Sequence, residues 1–226
     1  MQCLMCNAVT DGQLTLTQIL SFSPIIEPQI CKQCSERFEY INAPVCQGCG
    51  KPQQDGQLCV DCQAWQAKNS YLIHNRSLIV YNDATKQFMK QYKFSGDFQL
   101  RHIFAIELQN LIDDCQADLV LPIPISQYTW QTRGFNQVSG LLLGKTESLI
   151  QPINQGKHSL QSHKKREQRL ATQQPFKLIA KAAEQIKNQK VVLVDDVYTT
   201  GRTLYHAADL VLSCHPSQLQ SITLAR

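Results

Sequence analysis

The sequence predicts an α/β fold with a buried parallel sheet and a small metal-binding module at its N-terminus. An unbroken run of four branched apolar residues, 191–194, is typical of a strand buried on both faces of such a sheet. Two acids, Asp195 and Asp196, follow this run, where we expect the strand to end. A threonine-rich turn comes next and leads into a helical pattern over residues 204–212. The module is predicted by eight cysteines in the first 62 residues.

Length and charge favour one larger domain with an appendage. The 226 residues, 43% of them hydrophobic, suffice for one α/β core, and we predict a module over 1–66 and a domain over 67–226. Trp65, near the boundary, is expected to dock one on the other. The module holds three basic against six acidic side chains, so within the net charge of +4 it carries −3 and the larger domain +7. This asymmetry indicates that the larger domain meets phosphates.

The sequence shows neither a membrane span nor a secretory signal. No apolar run approaches the length of a span, and the N-terminus lacks a basic start followed by a long apolar stretch. We therefore expect a cytoplasmic protein, which reaches the inner face of the membrane only peripherally, through partners.

Four Cys-x-x-Cys pairs predict two structural Zn²⁺ sites. In a reducing cytoplasm this density does not fit a disulfide framework, and two such turns complete a tetrahedral site. Reduced or redox-active thiols are the alternative. Thiolates fill every position, so the sites are closed to catalysis and metal binding should couple to folding. Pairing in sequence order gives a first quartet (Cys3, Cys6, Cys31, Cys34) and a second quartet (Cys46, Cys49, Cys59, Cys62), although an interleaved arrangement stays open.

The rest of the chain predicts alternating strands and helices. A strand over 76–81 precedes a helix that Asn82 caps, and a second helix is expected over 100–112. A buried strand over 118–125 is stopped by its prolines, and Asn136 caps a further helix. Later elements are expected as a strand over 175–179, a helix over 180–189 and a last strand over 221–224.

Residues 154–170 form a polar segment without a regular apolar period. Four of its cationic side chains are called here the basic stretch: Lys164, Lys165, Arg166 and Arg169. Three interpretations compete. The segment is a lid that closes on a diphosphate, a sequence-independent contact to nucleic-acid backbone, or a solvated charged surface.

The turn after the carboxylate pair suits a ribose that carries a 5′-phosphate. Backbone N–H groups at the start of a helix favour an anion, Gly201 permits close approach, and hydroxyls add donors. Ionised Asp195 and Asp196 accept hydrogen bonds from the 2′ and 3′ hydroxyls. An ordinary threonine-capped helix is the alternative, but a cap needs one hydroxyl and no acid pair. The candidate residues are Asp195, Asp196, Val197, Tyr198, Thr199, Thr200, Gly201, Arg202 and Thr203.

This block resembles the phosphoribosyl-diphosphate (PRPP) loop of type I phosphoribosyltransferases, which reads as an apolar strand, two acids and a T-T-G-x-T turn. The resemblance implies a type I phosphoribosyltransferase-like parallel sheet that binds PRPP with Mg²⁺. Lys93, Ser126 and Arg133 are candidates for the diphosphate. The planar guanidinium of Arg133, ahead of a helix, can take a phosphate bidentately, although a surface arginine beside a turn glycine is the simpler explanation of that residue alone.

Over essentially its whole length the chain resembles the ComF family of competence proteins. The marks, in order, are the Cys-x-x-Cys pairs, residues 92–97, residues 133–137, the basic stretch and residues 194–203. The resemblance implies a double zinc ribbon before a phosphoribosyltransferase fold. It also implies a role in moving incoming single-stranded DNA across the cytoplasmic membrane, with a ComFA-type DNA-dependent ATPase as partner. Arg202 departs from the small residue frequent at its position.

Three functions follow from these expectations. The favoured one is a DNA-uptake protein that keeps a PRPP-type site and binds single-stranded DNA through the basic stretch. The second is an active phosphoribosyltransferase, for which the sequence identifies no hood over an acceptor base. The third is a regulator that senses PRPP without turnover.

Overall fold

A computed structural model of the chain describes residues 2–10, 29–153 and 174–226. Six strands and eight α-helices are assigned in these ranges, together with a 3₁₀-helix over Phe98–Ile103. They are α1 (Lys32–Ser35), α2 (Val60–Lys68), β1 (Asn75–Ile79), α3 (Asp83–Phe94), α4 (Ala105–Asp113), β2 (Leu119–Pro122), α5 (Gln127–Arg133), α6 (Gln137–Leu141), β3 (Ile150–Pro152), β4 (Phe176–Leu178), α7 (Ala182–Ile186), β5 (Lys190–Val197), α8 (Arg202–Leu212) and β6 (Gln218–Ala225).

A four-stranded sheet in the order β1-β6-β5-β2 forms the centre of the molecule, and every pairing in it is parallel. Side chains of the inner strand β5 alternate between two cores. Val192 and Val194 face one, and Val191 and Leu193 face the other. All four are at most 2% exposed. The predicted α/β fold with a parallel sheet is therefore confirmed. β3 and β4 form a separate antiparallel ribbon.

The first core joins α3 and α4 to the first quartet. Phe38, which follows that quartet, lies edge-on to Phe88 and Phe104, with ring centroids 6.4 and 5.0 Å apart. Cys3 and Cys34 are buried in the same cluster. The first quartet is therefore packed onto the larger domain. Burying a side chain of the size of Phe38 contributes about 2 to 3 kcal/mol to that packing.

The second core joins α8 to the second quartet on the opposite face of the sheet. Trp65 stacks on Tyr205, with centroids 4.0 Å apart and planes within 8°, which confirms its predicted docking role. Asn75 of β1 donates from Nδ2 to the carbonyl oxygen of Cys49 at 3.2 Å. Both cores thus draw on residues from either side of the boundary predicted at residue 66, and the boundary itself stays a prediction.

Element ends differ from the expectations. β5 ends at Val197, one residue beyond the acids where it was expected to end, and β6 runs alongside it and pairs Asp195 with Thr223 and Val197 with Ala225. The helix expected over 100–112 is instead a 3₁₀-helix followed by α4, with the buried ring of Phe104 at the junction. The helix α5 and the strand β3 were not predicted. The segment 154–170, which includes the basic stretch, lies outside the described residues.

Candidate functional site

The candidate site lies at the carboxyl end of β5, where the strand gives way to the turn before α8. The pairing with β6 keeps Asp195 and Asp196 at 8% and 7% exposure. The loop beyond them turns outward, so Thr199 and Thr203 are exposed and Thr200 is half-buried. Gly201 caps α8 with φ of +77°, a conformation that favours glycine. Two buried carboxyl groups therefore adjoin accessible hydroxyls at a helix N-terminus.

The surroundings of the two carboxyl groups shift their pKa values in opposite directions. Asp195 Oδ1 accepts the amide of Asp196 at 2.9 Å, and Asp196 Oδ1 accepts that of Val197 at 2.8 Å. Burial and the charge of Asp196 raise the pKa of Asp195 well above its usual value. Burial also opposes ionisation of Asp196, but the Lys93 ammonium and hydrogen bonds outweigh it and hold that pKa below its usual value. The two pKa values are thus shifted apart, and Asp196 is the more acidic member of the pair.

Lys93 and Arg133, two of the three diphosphate candidates, contact each other, and Lys93 also contacts Asp196. Lys93 Nζ forms an ion pair with Asp196 Oδ2, with the two side chains 18% and 10% exposed. Arg133 Nε donates to the Lys93 carbonyl oxygen at 3.0 Å, and its Nη1 contacts Gln137 Oε1. Gln137 also donates to Asp196. Sequence reasoning gave Gln137 no role, although it lies in the 133–137 motif.

The remaining candidates are placed less directly at the site. Ser126 Oγ accepts the amide of Thr129 at 3.1 Å and so caps α5, where it faces solvent. Tyr198 is 4% exposed and belongs to the second core, so its ring turns away from the accessible loop side. The Arg202 guanidinium lies 5.8 Å from the Trp65 ring centroid, toward the second quartet. Val197 is half-buried at the end of β5.

Each cysteine quartet has the dimensions of a tetrahedral zinc site. The structure groups the cysteines in sequence order rather than interleaved, with all sulfurs of a quartet within 4.8 Å of one another. Cys6 and Cys31 Sγ are 3.8 Å apart, and Cys49 and Cys59 Sγ are 3.7 Å apart. A tetrahedron with Zn–S bonds of about 2.3 Å has edges of about 3.8 Å. The residues present therefore fit Zn²⁺ in both quartets, as closed structural sites.

The second quartet is directly beside the loop. A hydrogen bond from Cys62 and the nearby Arg226 guanidinium lower the pKa of the Cys49 thiol to about 4, against the effect of burial. A thiol held as thiolate is the form that binds metal. Arg226 was not identified from the sequence, because nothing in its local pattern indicates contact with a residue 177 positions away.

Two observations concern surfaces away from the site. A cleft of about 340 Å³ lies at the opposite end of β2, near Leu119, and none of the candidate residues lines it. None of the helices within the described ranges has the length and apolar character needed to cross a membrane.

Comparisons with known proteins match both parts of the chain. A double zinc ribbon domain matches residues 25–63, and a phosphoribosyl transferase domain matches residues 151–226. The chain is 32% identical to competence protein ComFC of Streptococcus pneumoniae, with both chains covered in full. It is 29% identical to competence protein ComFC of Bacillus subtilis, over 99% of this chain and 94% of that one. Competence protein F of Haemophilus influenzae is 24% identical over 87% of this chain and 90% of its own length.

Proposed function

The chain belongs to the ComFC family of competence proteins, and from this we propose that it handles incoming single-stranded DNA during natural transformation while binding a phosphoribosyl ligand at the β5 loop. The observation that carries the proposal is the pair of acids at the end of β5, with Lys93 against Asp196 and a helix start beside them. A ribose needs acceptors for its hydroxyls, and its phosphate needs N–H and hydroxyl donors. The loop supplies both.

PRPP with Mg²⁺ is the phosphoribosyl ligand that we propose. The accessible threonines 199, 200 and 203 and the amides before α8 suit the 5′-phosphate. Lys93 pairs with Asp196, Arg133 contacts the backbone of Lys93, and two such cations suit a diphosphate on the sugar. Mg²⁺ would offset charge on that diphosphate. In this arrangement Lys93 exchanges part of its contact with Asp196 for the ligand, because ribose hydroxyls need the same carboxylate.

Exposed aromatic side chains near the same cations support the DNA part of the proposal. Phe94 is 70% exposed and lies under Arg133, with the guanidinium 5.7 Å from its ring centroid. Tyr128 and Trp130 on α5 are 59% and 55% exposed. Trp130 is three residues before Arg133, hence on the same side of the helix. Proteins that bind single-stranded DNA use cations to contact its backbone and exposed aromatic rings to stack on its bases.

Calorimetric titration tests the two ligands separately and together. PRPP with Mg²⁺ is expected to bind saturably to the wild type, and a short single strand is expected to bind with a steep salt dependence. Replacing the four residues of the basic stretch by glutamine should flatten the slope of log K against log [salt] by about 3, because each phosphate that is no longer neutralised accounts for about 0.7. The charge-matched control replaces four exposed lysines elsewhere: Lys68, Lys145, Lys181 and Lys187. Equal slopes in both variants contradict a DNA contact by the basic stretch.

An active phosphoribosyltransferase is the second candidate, because Lys93 and Arg133 lie where they would steady a leaving pyrophosphate. Incubation with PRPP, Mg²⁺ and a panel of nucleobases should then release pyrophosphate, with loss of release in Arg133→Gln. Saturable PRPP binding without release of pyrophosphate would instead favour a PRPP-sensing regulator.

A ComFA-type ATPase is the proposed protein partner. If the two proteins interact, adding this protein should make DNA-dependent ATP hydrolysis by the ATPase faster.

A further inference from the structure

The loop after β5 rests against the second quartet through its carbonyl oxygens. Arg226, which follows β6, donates from Nη1 to the carbonyl oxygens of Tyr198 at 3.1 Å and Thr199 at 2.9 Å. Its other terminal nitrogen, Nη2, lies 3.2 Å from Cys49 Sγ. One guanidinium therefore joins a zinc ligand to two consecutive peptide groups of the loop.

A second contact comes from α2, the helix that carries Cys62. Trp65 Nε1 donates to the carbonyl oxygen of Thr200 at 3.0 Å, and the indole stacks on Tyr205. The indole is 9% exposed, so it has little room to turn. Because Trp65 is three residues after Cys62 on one short helix, the zinc ligand and the hydrogen bond to the loop move together.

These contacts set the direction of the loop amides. The peptides of the loop are trans, and the described cis peptide lies elsewhere, at Ala43–Pro44. In a trans peptide the C=O and the following N–H point in opposite directions within one plane. Carbonyls 198, 199 and 200 point toward the zinc-binding part, and the N–H groups of residues 199, 200 and 201 therefore point away from it. Consecutive N–H groups on one side of a helix start form a concavity that binds anions.

We propose that Trp65 and Arg226 are positioning residues, through which the second zinc site sets the orientation of the phosphate-binding amides. Zinc in the second quartet and a ribose phosphate at the loop then strengthen each other, since coupling between two sites is reciprocal. The guanidinium also offsets the negative charge of four thiolates around one Zn²⁺. Only the coupling to ligand rests on the proposed phosphoribosyl site, because the orientation of the loop needs no ligand.

Hydrogen exchange of the zinc-loaded protein tests the positioning directly. Trp65→Phe keeps a smaller ring against Tyr205 and removes the N–H donor, and Arg226→Lys keeps the positive charge without the paired donors. We expect the hydrogen-bonded amides at the two ends of the loop, those of Tyr198 and Tyr205, to exchange about fivefold faster in Trp65→Phe and about twentyfold faster in Arg226→Lys, because the variants lack one and two of the hydrogen bonds that hold the loop. Tyr71→Phe is the control, since it removes a hydroxyl that contacts Asp209 and the Tyr205 carbonyl oxygen but none of the loop carbonyls 198–200.

The outcomes separate the positioning from the proposed ligand. Faster exchange confined to these amides, at two zinc equivalents and with a melting temperature lowered by no more than about 8 °C, supports the proposal. Loop exchange equal to that of the wild type in both variants overturns it, whatever PRPP does. In the wild type, PRPP with Mg²⁺ should also slow removal of the second zinc by a chelator severalfold, and Trp65→Phe should lose that protection. If the wild type binds no PRPP, the proposed phosphoribosyl site fails, while the exchange data still decide the positioning.

Discussion

Replacing Lys93 by methionine should destabilise the protein in a pH-dependent way. The change keeps the apolar stem that packs in α3 and removes the ammonium paired with Asp196 Oδ2. The two side chains are only 18% and 10% exposed, so water cannot take over the role of the cation. Asp196 would be left as a buried carboxylate, with Gln137 and a backbone amide as the remaining partners named for it.

The magnitude follows from that burial. Removing one partner of a buried ion pair costs about 3 to 5 kcal/mol, and the residual exposure favours the lower end. For a chain of this size a loss of about 3 kcal/mol lowers the melting temperature by about 6 to 12 °C.

The dependence on pH has a definite sign. In the wild type the lowered pKa of Asp196 contributes stability that is present above the ordinary carboxyl pKa and is lost as the pH falls through the folded value. Without the cation, burial raises that pKa, so Lys93→Met gains stability as the pH falls from neutral. The gap between the two proteins should therefore narrow toward acid.

Thermal and urea unfolding of both proteins with zinc present, between about pH 6 and 8, measures this gap without stripping the metal. Lys90→Met, an exposed lysine one turn earlier on α3, is the control and should change stability by less than about 0.5 kcal/mol. Adding Asp196→Asn to Lys93→Met should restore about 2 kcal/mol, because the orphaned charge is gone. A melting temperature no lower for Lys93→Met than for Lys90→Met would refute the ion pair as a determinant of the site.

Three further changes test the loop and the metal. Asp195→Asn should raise the free energy of unfolding at pH 7, since a group with a raised folded pKa loses stability as the pH rises and the amide does not ionise. Urea unfolding measures this change, and calorimetry should show weaker binding of PRPP with Mg²⁺. Cys49→Ser should lower the zinc content from two equivalents to one in a colorimetric assay, with Cys115→Ser unchanged, because Cys115 is in neither quartet. Gly201→Ala should reduce PRPP affinity about tenfold by calorimetry, since Tyr198 occupies the space that the new methyl group needs. The control is Gly96→Ala, which has a similar φ and open space around the new methyl group, and it should bind PRPP with wild-type affinity.

The fold class was predictable because its main signals are local. Four apolar residues in a row predict a strand buried on both faces, and β5 is such a strand. Element ends were less predictable, because they depend on distant partners. β5 continues through Asp195 only because β6 runs beside it, and α4 starts late because Phe104 is held between Phe38 and Phe88. Periodicity within one segment carries no information about such contacts.

In the candidate site, too, local features could be predicted from the sequence and contacts between distant residues could not. The order of acids, threonines and glycine can be read along the nine residues 195–203, so the loop was identified. The ion pair between Lys93 and Asp196 joins residues about 100 positions apart, and only a family motif pointed to Lys93. Ser126 follows a strand, as a ligand-binding residue would, yet the structure uses its hydroxyl as a helix cap. A polar residue after a strand can bind a ligand or cap the next helix, and the sequence alone does not distinguish these two roles.

The placement of the two quartets bears on how the protein loses its site. They pack on opposite faces of one sheet, the first against α3 and α4 and the second against α8. Because residues of the two quartets belong to the two cores, unfolding of either quartet exposes apolar surface of the larger domain. The loop after β5 is held by carbonyl contacts from Trp65 and Arg226, and these groups lie beside the second quartet only. Loss of the second zinc should therefore disturb phosphate binding before the sheet itself, whereas loss of the first should act through the packing around Phe38 and lower stability more uniformly.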